Sequence, residues 1–247
     1  MSRWESGTVV GNRRWTEGLH SLRIEAPVDP FIAGQLTRLA LDIDVERVAR
    51  PYSYVNAPHE PVLEFYFNRV PGGRLSNRLS SLSVGDCLWV APRAAGRLTL
   101  AQVPQSEHLW LLSTGTAIGP FLSILKSEEP WARFAKVVLV HGVRTARDLT
   151  YQETIRSIHD RHAGQFAMLP FVSREDTDFA VKGRIPAAIG NGVLEDRAGI
   201  ALNAAQSQVM ICGSQAMVRD TEQALESLGL KRSQRGDPGH IRTESYW

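Results

Sequence analysis

Four short apolar runs in the second half of the chain constrain its fold more than any other sequence feature. Such runs are typical of strands buried on both faces, as in a parallel sheet. Two stretches carry apolar residues at helical spacing, 151–162 between the second and third runs and 217–228 after the fourth, and Gly229 is placed to end the second helix. Alternating strands and helices predict βαβ units in a doubly wound parallel α/β sheet. The runs are LWLL (109–112), VVLV (137–140), FAMLPFV (166–172) and VMIC (209–212).

The first hundred residues differ, because short strand-like runs separated by prolines and glycines dominate them. This spacing favours an antiparallel barrel or sandwich. One segment, GGRLSNRLSSL (72–82), instead predicts a short helix that Ser76 caps. We therefore expect two domains, 1–102 and 103–247. The predicted strands are SGTVVG (6–11), HSLRIEA (20–26), QLTRLALDI (35–43), ARPYSYV (49–55), LEFYFN (63–68), DCLWVAP (86–92) and RLTL (97–100).

The composition is that of an ordinary globular protein, with 43% hydrophobic and 22% charged residues in a chain of 247. It excludes a disordered chain and a disulfide-rich mini-scaffold. The formal net charge is only +2, which argues against nucleic-acid binding. Only four of the 28 basic residues are lysines, and arginine suits phosphate groups better than lysine does. A role for some of the arginines in phosphate binding is therefore expected.

The two cysteines and the N-terminus bear on the cellular compartment. Cys87 and Cys212 lie far apart in apolar surroundings, which predicts buried free thiols in a reducing environment. The sequence has no CxxC motif, so Cys-ligated metal centres of the usual spacing are excluded. No apolar run approaches the ~18 residues of a membrane span, and the N-terminus shows no targeting pattern. We expect a cytoplasmic protein with no metal and no membrane segment.

Ligands of a parallel sheet bind beyond the carboxyl ends of its strands. The turn after the first run offers Gly115 and a helix N-terminus to a phosphate, or it merely packs tightly. Arg144 and Arg174 follow the next two runs and Arg184 comes shortly after, so the three are expected in one crevice unless each is a solvated surface residue. Because arginine accommodates the 2′-phosphate of NADP, this pattern favours NADP over NAD. Cys212 is either a core cysteine or a small group beside a nicotinamide ring.

In the first domain, Arg50, Tyr52 and Tyr54 share one face of a predicted strand, with Ser53 on the other. An arginine for a pyrophosphate and a tyrosine ring for a flat aromatic cofactor suit this face, and ordinary core aromatics are the alternative. The segment GGRLS (72–76) adds glycines, an arginine and a helix N-terminus as a second phosphate site. The chain ends TESYW, whose aromatic pair either stacks on flat rings or docks on the core.

These motifs occur together in a characteristic order. They are RPYS (50–53), GRLS (73–76), TGTAIGP (114–120), CGSQAM (212–217) and the terminal aromatics after Glu244. In this combination the chain resembles the ferredoxin–NADP reductase family over essentially its full length, and most closely its bacterial flavodoxin/ferredoxin–NADP reductases. The resemblance implies an FAD-binding, six-stranded antiparallel β-barrel followed by an NADP-binding α/β domain whose C-terminal tail returns to the flavin.

The resemblance also implies roles for individual residues. Three are implied to be catalytic, namely Ser53 near flavin N5, and Cys212 and Glu244 near the nicotinamide. The terminal residues Tyr246 and Trp247 are implied to stack on the flavin and on the FAD adenine. The full implied sets are Arg50, Tyr52, Ser53, Tyr66, Arg74, Leu75, Ser76, Thr116, Tyr246 and Trp247 for FAD, and Gly115, Val143, Arg144, Ser173, Arg174 and Arg184 for NADP.

The implied activity is exchange of a hydride between nicotinamide C4 and flavin N5, with single electrons passing between FAD and a ferredoxin or flavodoxin. Tyr246 would have to leave the flavin before the nicotinamide enters. The protein is expected to be a monomer, with a basic rim at KRSQR (231–235) and Arg242 for an acidic protein partner. Three alternatives stay open: an NAD(P)H:flavin oxidoreductase or oxygenase reductase subunit, a non-enzymatic NADP(H)-binding module, and a metal hydrolase built on His159 and His162.

Overall fold

The computed structural model describes residues 3–234 and 236–246. Within these residues the chain forms two six-stranded sheets. No helix in the same residues is long and apolar enough to cross a membrane. Trp247, the residue expected to stack on the FAD adenine, lies outside the described residues, and so does Arg235 of the expected basic rim.

The first sheet is antiparallel throughout, with its strands in the order β4-β3-β6-β1-β2-β5. Its edges meet where Tyr54 pairs with Phe65 and the Val55 amide donates to the Glu64 carbonyl at 2.8 Å. This contact closes the sheet and confirms the predicted barrel. The elements are β1 (Glu5–Arg14), β2 (Leu19–Glu25), β3 (Leu36–Ile43), β4 (Glu46–Ser53), β5 (Leu63–Asn68), α1 (Arg74–Ser80) and β6 (Cys87–Val90).

Two details of this first half differ from the sequence prediction. Gly73, and not Ser76, is the N-cap of α1. Ser76 is the third residue of the helix, and its hydroxyl accepts a hydrogen bond from the Val70 amide at 3.1 Å. The segment RLTL (97–100) forms no strand. Its two leucines are buried in a core shared with the second sheet, so their alternation reflects packing between the two halves and not strand pairing.

The two cysteines are both free, but only Cys212 is buried. Alternation along β6 turns Leu88 and Val90 into the barrel core and leaves Cys87 on the outer face. The prediction of two buried thiols is therefore wrong for Cys87.

The second sheet is parallel throughout, in the order β10-β9-β8-β7-β11-β12, which confirms the doubly wound α/β prediction. Because β8 and β11 flank β7 on opposite sides, the strand order reverses at the carboxyl end of β7, where such sheets form their ligand crevice. The elements are β7 (His108–Thr114), α2 (Gly119–Leu125), α3 (Glu129–Arg133), β8 (Lys136–Val143), α4 (Gln152–Arg161), β9 (Phe166–Val172), β10 (Val181–Lys182), α5 (Ile185–Gly190), α6 (Val193–Ala198), β11 (Ser207–Ser214), α7 (Gln215–Ser227) and β12 (Ile241–Tyr246).

Both faces of the second sheet are covered, as its continuous apolar runs require. Leu109 and Leu111 of β7 belong to one core, which also contains the buried residues of α2 and α4 and reaches the barrel. The alternate residues Trp110 and Leu112 belong to a second core with α5 and α7. As predicted, α7 ends beside Gly229, whose φ of +83° is the left-handed conformation that glycine adopts easily.

Strand β12 has no counterpart among the predicted elements. The sequence suggests a terminal tail, but residues 241–246 form a parallel edge strand against β11, with Cys212 opposite Glu244 and Ser214 opposite Tyr246. The pairing carries the end of the chain to the carboxyl edge of the sheet, where the crevice opens.

A partly buried polar cluster of Trp15, Ser21, Glu64 and Tyr151, called here the interface cluster, joins the barrel to the second sheet. The Tyr151 hydroxyl donates to the Glu64 carboxylate at 2.7 Å and also bonds to the Ser21 hydroxyl. The Trp15 indole donates to the same serine at 2.6 Å, and its ring lies 4.7 Å from that of Tyr151. Three of the four residues belong to the barrel, so Tyr151 holds the two halves in one orientation.

Candidate active site

Strands from both halves meet at one point in the crevice. Ser53 ends β4 of the barrel and Tyr246 ends β12 of the parallel sheet, and their hydroxyl oxygens lie 2.6 Å apart. The Tyr246 hydroxyl also interacts with the buried Cys212 thiol. Burial raises the pKa of both the Cys212 thiol and the Tyr246 phenol, so neither group ionises near neutral pH. These three side chains therefore form a neutral hydrogen-bonding group.

Glu244 lies beside this group, directly opposite Cys212 in the strand register. Its Oε1 atom is buried and has no hydrogen-bond partner among the described residues. Its Oε2 atom lies 3.2 Å from the position that a Cβ on Gly96 would occupy, so the barrel backbone covers the carboxyl group. Burial raises the pKa of Glu244 to about 7, which suits a group that holds or releases a proton near neutral pH.

The barrel face of the crevice carries Arg50 and Tyr52. Arg50 is exposed, and its guanidinium donates to the Ala49 carbonyl at 2.7 Å without a salt bridge to any described carboxylate. Tyr52 is partly buried with its ring edge-on to Phe67 at 5.8 Å, and burial raises its pKa to about 12. Tyr54 is different, because it is fully buried and its ring stacks on the partly buried Phe31 at 3.9 Å. The strand thus leaves Arg50 exposed and Tyr52 partly buried, and it uses Tyr54 for packing.

The start of α1 lies near this face, but its side chains are mostly engaged within the protein. Arg74 forms salt bridges with Glu46 at 2.8 Å and Asp44 at 3.6 Å, both on the β3–β4 hairpin. Leu75 is buried in the barrel core, and Ser76 accepts from the Val70 amide. Backbone amides of this turn are therefore the groups available to a phosphate.

Tyr66, implied by the resemblance to bind FAD, lies at the interface between the two halves. It is 6% exposed, and the Thr150 hydroxyl donates to its phenol oxygen at 2.8 Å. Its ring also packs edge-on against Tyr151 at 5.2 Å. The structure thus places the Tyr66 hydroxyl against the second sheet.

The turn after β7 opens onto the crevice at Gly115. This residue has a φ of +56°, and nothing lies within 4 Å of the position that a Cβ would occupy. Next to it, Thr116 is buried. His141 of β8 supports the turn from below, with its Nε2 atom 3.0 Å from the Gly115 carbonyl oxygen. Burial lowers the pKa of His141 to about 4, so the ring is neutral and can donate this bond.

Gly213 allows the end of β11 to pass close to β7. A Cβ at this position would lie 2.6 Å from Thr114 Oγ1 and 2.8 Å from the Met217 sulfur. Ser214 follows as the N-cap of α7, accepting from the Met217 amide at 3.3 Å. The CGSQAM motif therefore has a packing function at the base of the crevice.

The structure brings together the three arginines predicted to bind a nucleotide phosphate. The Arg174 amide donates to the Arg144 carbonyl at 2.9 Å, and Ser173 bonds to the Val143 carbonyl at 3.1 Å through both its amide and its hydroxyl. Arg184 is the N-cap residue of α5 on the adjoining edge of the sheet. All three arginine side chains are exposed. None forms a salt bridge within the part of the chain that the structure describes, so all three are available to an anion.

His159 and His162 have structural roles that differ from the metal-site alternative. The His162 ring stacks on Trp131 at 3.8 Å with an interplanar angle of 5°, and His159 lies 3.8 Å from its neighbour Asp160. Sequence analysis missed His141, although it immediately precedes the GVR segment that carries Arg144. The role of His141 depends on the contact of its ring with the Gly115 carbonyl. Because the two residues are far apart in the sequence, no local pattern indicates this contact.

Comparison with known proteins agrees with this geometry. A model of the oxidoreductase NAD-binding domain matches residues 111–223. The flavodoxin/ferredoxin–NADP reductase of Escherichia coli K12 is 47% identical over 248 residues, covering 100% of both chains. The chain belongs to the flavodoxin/ferredoxin–NADP reductase family. A second relative, the ferredoxin–NADP reductase of Pseudomonas aeruginosa, is 34% identical over 254 residues, which cover 99% of this chain and 98% of that protein.

Flavodoxin/ferredoxin–NADP reductases also include a close structural match to this chain. The crystal structure of a ferredoxin NADP+ reductase from Neisseria gonorrhoeae, with bound FAD and NADP, has a TM-score of 0.95 and 28% sequence identity, and the match covers 100% of both chains. The family resemblance inferred from the motifs is therefore confirmed, and the two-sheet fold is that of a flavodoxin/ferredoxin–NADP reductase.

Proposed function

We propose that this protein is an FAD-dependent flavodoxin/ferredoxin–NADP reductase. The observation that carries the proposal is the meeting of Ser53 and Tyr246 at 2.6 Å, in a crevice with unpaired arginines on both sides. Arg50 lies on the barrel side, and the Arg144, Arg174 and Arg184 set lies on the sheet side. Two phosphate-bearing cofactors entering from opposite sides would bring their reactive rings together near Ser53. Full-length similarity to named reductases supports the same activity.

The residues present fit both cofactors. Arg50 and the amides of the first turn of α1 would hold the FAD pyrophosphate, with Tyr52 against its ring system. The open backbone at Gly115 would admit the NADP pyrophosphate, and the three unpaired arginines suit its 2′-phosphate. Stacking of Trp247 on the FAD adenine remains part of this proposal.

When bound, FAD and NADP(H) supply the redox chemistry, a hydride passing between them and single electrons leaving or entering through FAD. The protein supplies position and proton control. The Ser53 hydroxyl is placed to donate a hydrogen bond to the reacting ring. Cys212 stays a neutral thiol and offers little bulk. Glu244, with a pKa of about 7, can hold or release a proton beside it.

Tyr246 has to move during turnover in this proposal. Its ring ends β12 beside Ser53, where a nicotinamide would enter, and among the described residues Ser53 and Cys212 contact its hydroxyl. Movement of Tyr246 breaks two hydrogen bonds to uncharged groups, each worth about 0.5–1.5 kcal/mol net. A free-energy cost of that size is small enough for Tyr246 to move in every catalytic cycle.

The electron partner in this proposal is a ferredoxin or flavodoxin, and the protein acts as a cytoplasmic monomer. The expected basic rim is weaker than its sequence suggests, because Arg232 forms a bidentate salt bridge with Glu222. We also propose the division into domains 1–102 and 103–247. It is supported by the ends of the two sheets, since β6 stops at Val90 and β7 begins at His108.

The other candidate functions are not favoured. The two relatives described above, which match nearly the whole length of both chains, are named flavodoxin/ferredoxin–NADP reductase and ferredoxin–NADP reductase. A non-enzymatic NADP(H) module does not need Ser53, Tyr246, Cys212 and Glu244 gathered at one point.

The test is to purify the protein, record its flavin spectrum, and compare NADPH with NADH as reductants of the bound flavin. A yellow protein that prefers NADPH supports the proposal. Arg144→Ala is expected to lower kcat/KM for NADPH about 10- to 100-fold, the loss expected for one charge-assisted hydrogen bond, and to leave NADH use almost unchanged. Arg161→Ala, an exposed arginine on α4, is the matched control. A colourless protein, or equal use of both nucleotides, would contradict the proposal.

A further inference from the structure

The loop between β8 and α4, residues 144–151, links the nucleotide side of the crevice to the barrel. It begins with Arg144, whose side chain is exposed and forms no salt bridge within the described residues. It ends with Thr150 and Tyr151, which are only 3% and 4% exposed and which contact the barrel. One end of the β8–α4 loop is therefore available to a ligand, whereas the other is fixed inside the protein.

Two side-chain hydrogen bonds attach the buried end of this loop to strand β5. The Thr150 hydroxyl donates to the Tyr66 phenol oxygen at 2.8 Å, and the Tyr151 hydroxyl donates to the Glu64 carboxylate at 2.7 Å. Glu64 and Tyr66 are alternate residues of β5, so their side chains leave the same face of the strand. Consecutive loop residues are thus bonded to one face of the barrel.

The middle of the loop is a series of short hydrogen-bonded turns. The Asp148 amide donates to the Thr145 carbonyl, and the Thr150 amide donates to the Asp148 carbonyl, both at 3.0 Å. The Asp148 carboxylate in turn accepts from the amide and the hydroxyl of Thr145, which completes a capping box. Because these turns follow one another without a gap, the backbone position at Thr150 constrains the position at Thr145, the neighbour of Arg144.

The exposed end of the loop is bonded to the segment that follows β9. The Arg174 amide donates to the Arg144 carbonyl at 2.9 Å, and the Ala146 amide donates to the Glu175 carboxylate. Both arginines lie beyond the last paired residues of their strands, so these contacts and the loop turns set their backbone path. Attaching the β8–α4 loop to the barrel therefore holds Arg144 and Arg174 together.

We propose that Thr150 is a positioning residue for the selection of NADP(H) over NAD(H). Its hydrogen bond to Tyr66 holds the β8–α4 loop so that Arg144 and Arg174 meet the 2′-phosphate in a preformed arrangement. Preorganised groups lose less conformational freedom when they bind, which strengthens binding without a new contact. Thr150 acts through the arginines, because its own hydroxyl is buried and engaged by the barrel. This role rests on the proposed function, since it needs a nucleotide at these arginines.

The first experiment titrates 2′-AMP and 5′-AMP into the wild type and Thr150→Val, because only 2′-AMP carries the phosphate that distinguishes NADP from NAD. Valine keeps the size of the side chain and removes the hydroxyl. Thr150→Val is expected to bind 2′-AMP about 2- to 10-fold more weakly, the range for one neutral hydrogen bond, and 5′-AMP equally well. Thr150→Ser keeps the hydroxyl and should bind both like the wild type. Thr154→Val, a partly exposed threonine of α4, is the matched control.

The second experiment measures reduction of the bound flavin by NADPH and by NADH. Thr150→Val is expected to raise KM for NADPH by about 2- to 10-fold with kcat little changed. Its NADH kinetics should equal those of the wild type, because NADH has no 2′-phosphate. An equal loss with both nucleotides would be the result of a general packing defect and would overturn the proposal.

A double variant tests whether Thr150 acts through Arg144. Arg144→Ala/Thr150→Val is expected to lose less NADPH kcat/KM than the product of the two single losses, because the second change acts on a side chain that is already absent. Losses that multiply would overturn the proposal. If Thr150→Val does not fold, Tyr66→Phe removes the same hydrogen bond from the barrel side and should weaken 2′-AMP binding by a similar factor. Unchanged affinity for 2′-AMP in every folded variant that lacks the bond also overturns the proposal.

Failure of the proposed function gives a different result. If Arg144→Ala binds 2′-AMP as tightly as the wild type does, the proposed NADP site is wrong and the role of Thr150 is wrong with it. If Arg144→Ala loses 2′-AMP affinity and Thr150→Val does not, the NADP site stands and only the role of Thr150 is overturned. The nucleotide titrations need no flavin, so a protein that takes up no FAD still gives one of these results.

Discussion

Glu244 shows how much one residue depends on its surroundings. In sequence it is an ordinary polar residue three positions from the chain end. In the structure it sits on β12 opposite Cys212, with one buried oxygen unpaired and the Gly96 backbone beside the other. Burial alone raises its pKa to about 7. The same carboxyl group on an exposed tail would titrate near its usual value.

The raised pKa of Glu244 predicts a pH dependence of stability. The native state keeps a proton that the unfolded chain releases, so the free energy of unfolding falls as pH rises from about 4.5 to about 7 and then levels off. The loss amounts to at most about 3.5 kcal/mol, at about 1.4 kcal/mol per pKa unit. Glu244→Gln is expected to remove this slope in urea titrations at several pH values, and Glu153→Gln, an exposed residue of α4, to keep it. Identical slopes in wild type and Glu244→Gln would contradict the prediction.

At the scale of elements, the crevice is built by strand ends that pass unusually close to one another. The carboxyl end of β11 lies against the end of β7 because Gly213 has no side chain. The same contact places the N-terminus of α7 beside the crevice, capped by Ser214. Packing of these three elements therefore depends on one glycine.

Gly213→Ala is expected to lower the free energy of unfolding by about 1–3 kcal/mol, the usual effect of an extra methyl group in a packed site. The added Cβ would press on Thr114 Oγ1 and the Met217 sulfur. Combining it with Thr114→Ala should recover part of the loss, because one of the two contacts is relieved. Gly190→Ala has open space around it and serves as the control. A Gly213→Ala protein as stable as the wild type in urea titrations would show that the strands adjust freely.

Strand β12 is the element that sequence analysis could not find. Its residues IRTESY (241–246) lack the apolar run of the central parallel strands, because an edge strand is covered by a neighbour on one side only. The four central strands were predicted since they are buried on both faces. Terminal segments are usually disordered or frayed in proteins. The local sequence pattern therefore does not distinguish a terminal tail from an edge strand that pairs with β11.

At the scale of the whole molecule, function requires that the barrel and the sheet keep one orientation. The interface cluster provides this, with Tyr151 bonded to Ser21 and Glu64 of the barrel. The backbone of Tyr151 has a φ of +58°, a left-handed conformation that costs energy in a residue other than glycine. Its contacts with the barrel compensate for that strain.

Tyr151→Phe is expected to lower the free energy of unfolding by about 1–3 kcal/mol, because it leaves Glu64 and Ser21 without their shared partner. Ser21→Ala/Tyr151→Phe should be less destabilised than the sum of the single variants, as for any directly coupled pair. Urea unfolding followed by tryptophan fluorescence measures both. Ser157→Ala, exposed on α4, is the control. Additive effects would show that the two residues are not coupled.

Several features of the site were within reach of sequence analysis because they depend on local pattern. Arg144 and Arg174 follow buried strands of a parallel sheet, and such ends meet at one edge whatever the rest of the fold does. Gly115 follows the first buried strand in the same way, and in the structure all three residues come directly after strands β7, β8 and β9 at the carboxyl edge of the sheet or within two residues of it. The interface cluster depends on contacts between residues far apart in the chain, such as Ser21 with Tyr151.

Local sequence patterns were enough to predict an antiparallel barrel followed by a parallel sheet, the strand ends that carry the arginines, and the family. Periodicity and apolar runs report local burial, and motifs report short-range geometry. The pairing of β12 with β11, the burial of Glu244 with its raised pKa and the outward orientation of Cys87 became visible only in the folded chain. The same holds for the salt bridges of Arg74 with carboxylates of the β3–β4 hairpin, which Arg144, Arg174 and Arg184 lack within the described residues. Charge pairing and desolvation depend on which distant groups come within a few ångströms, and no local pattern encodes that distance.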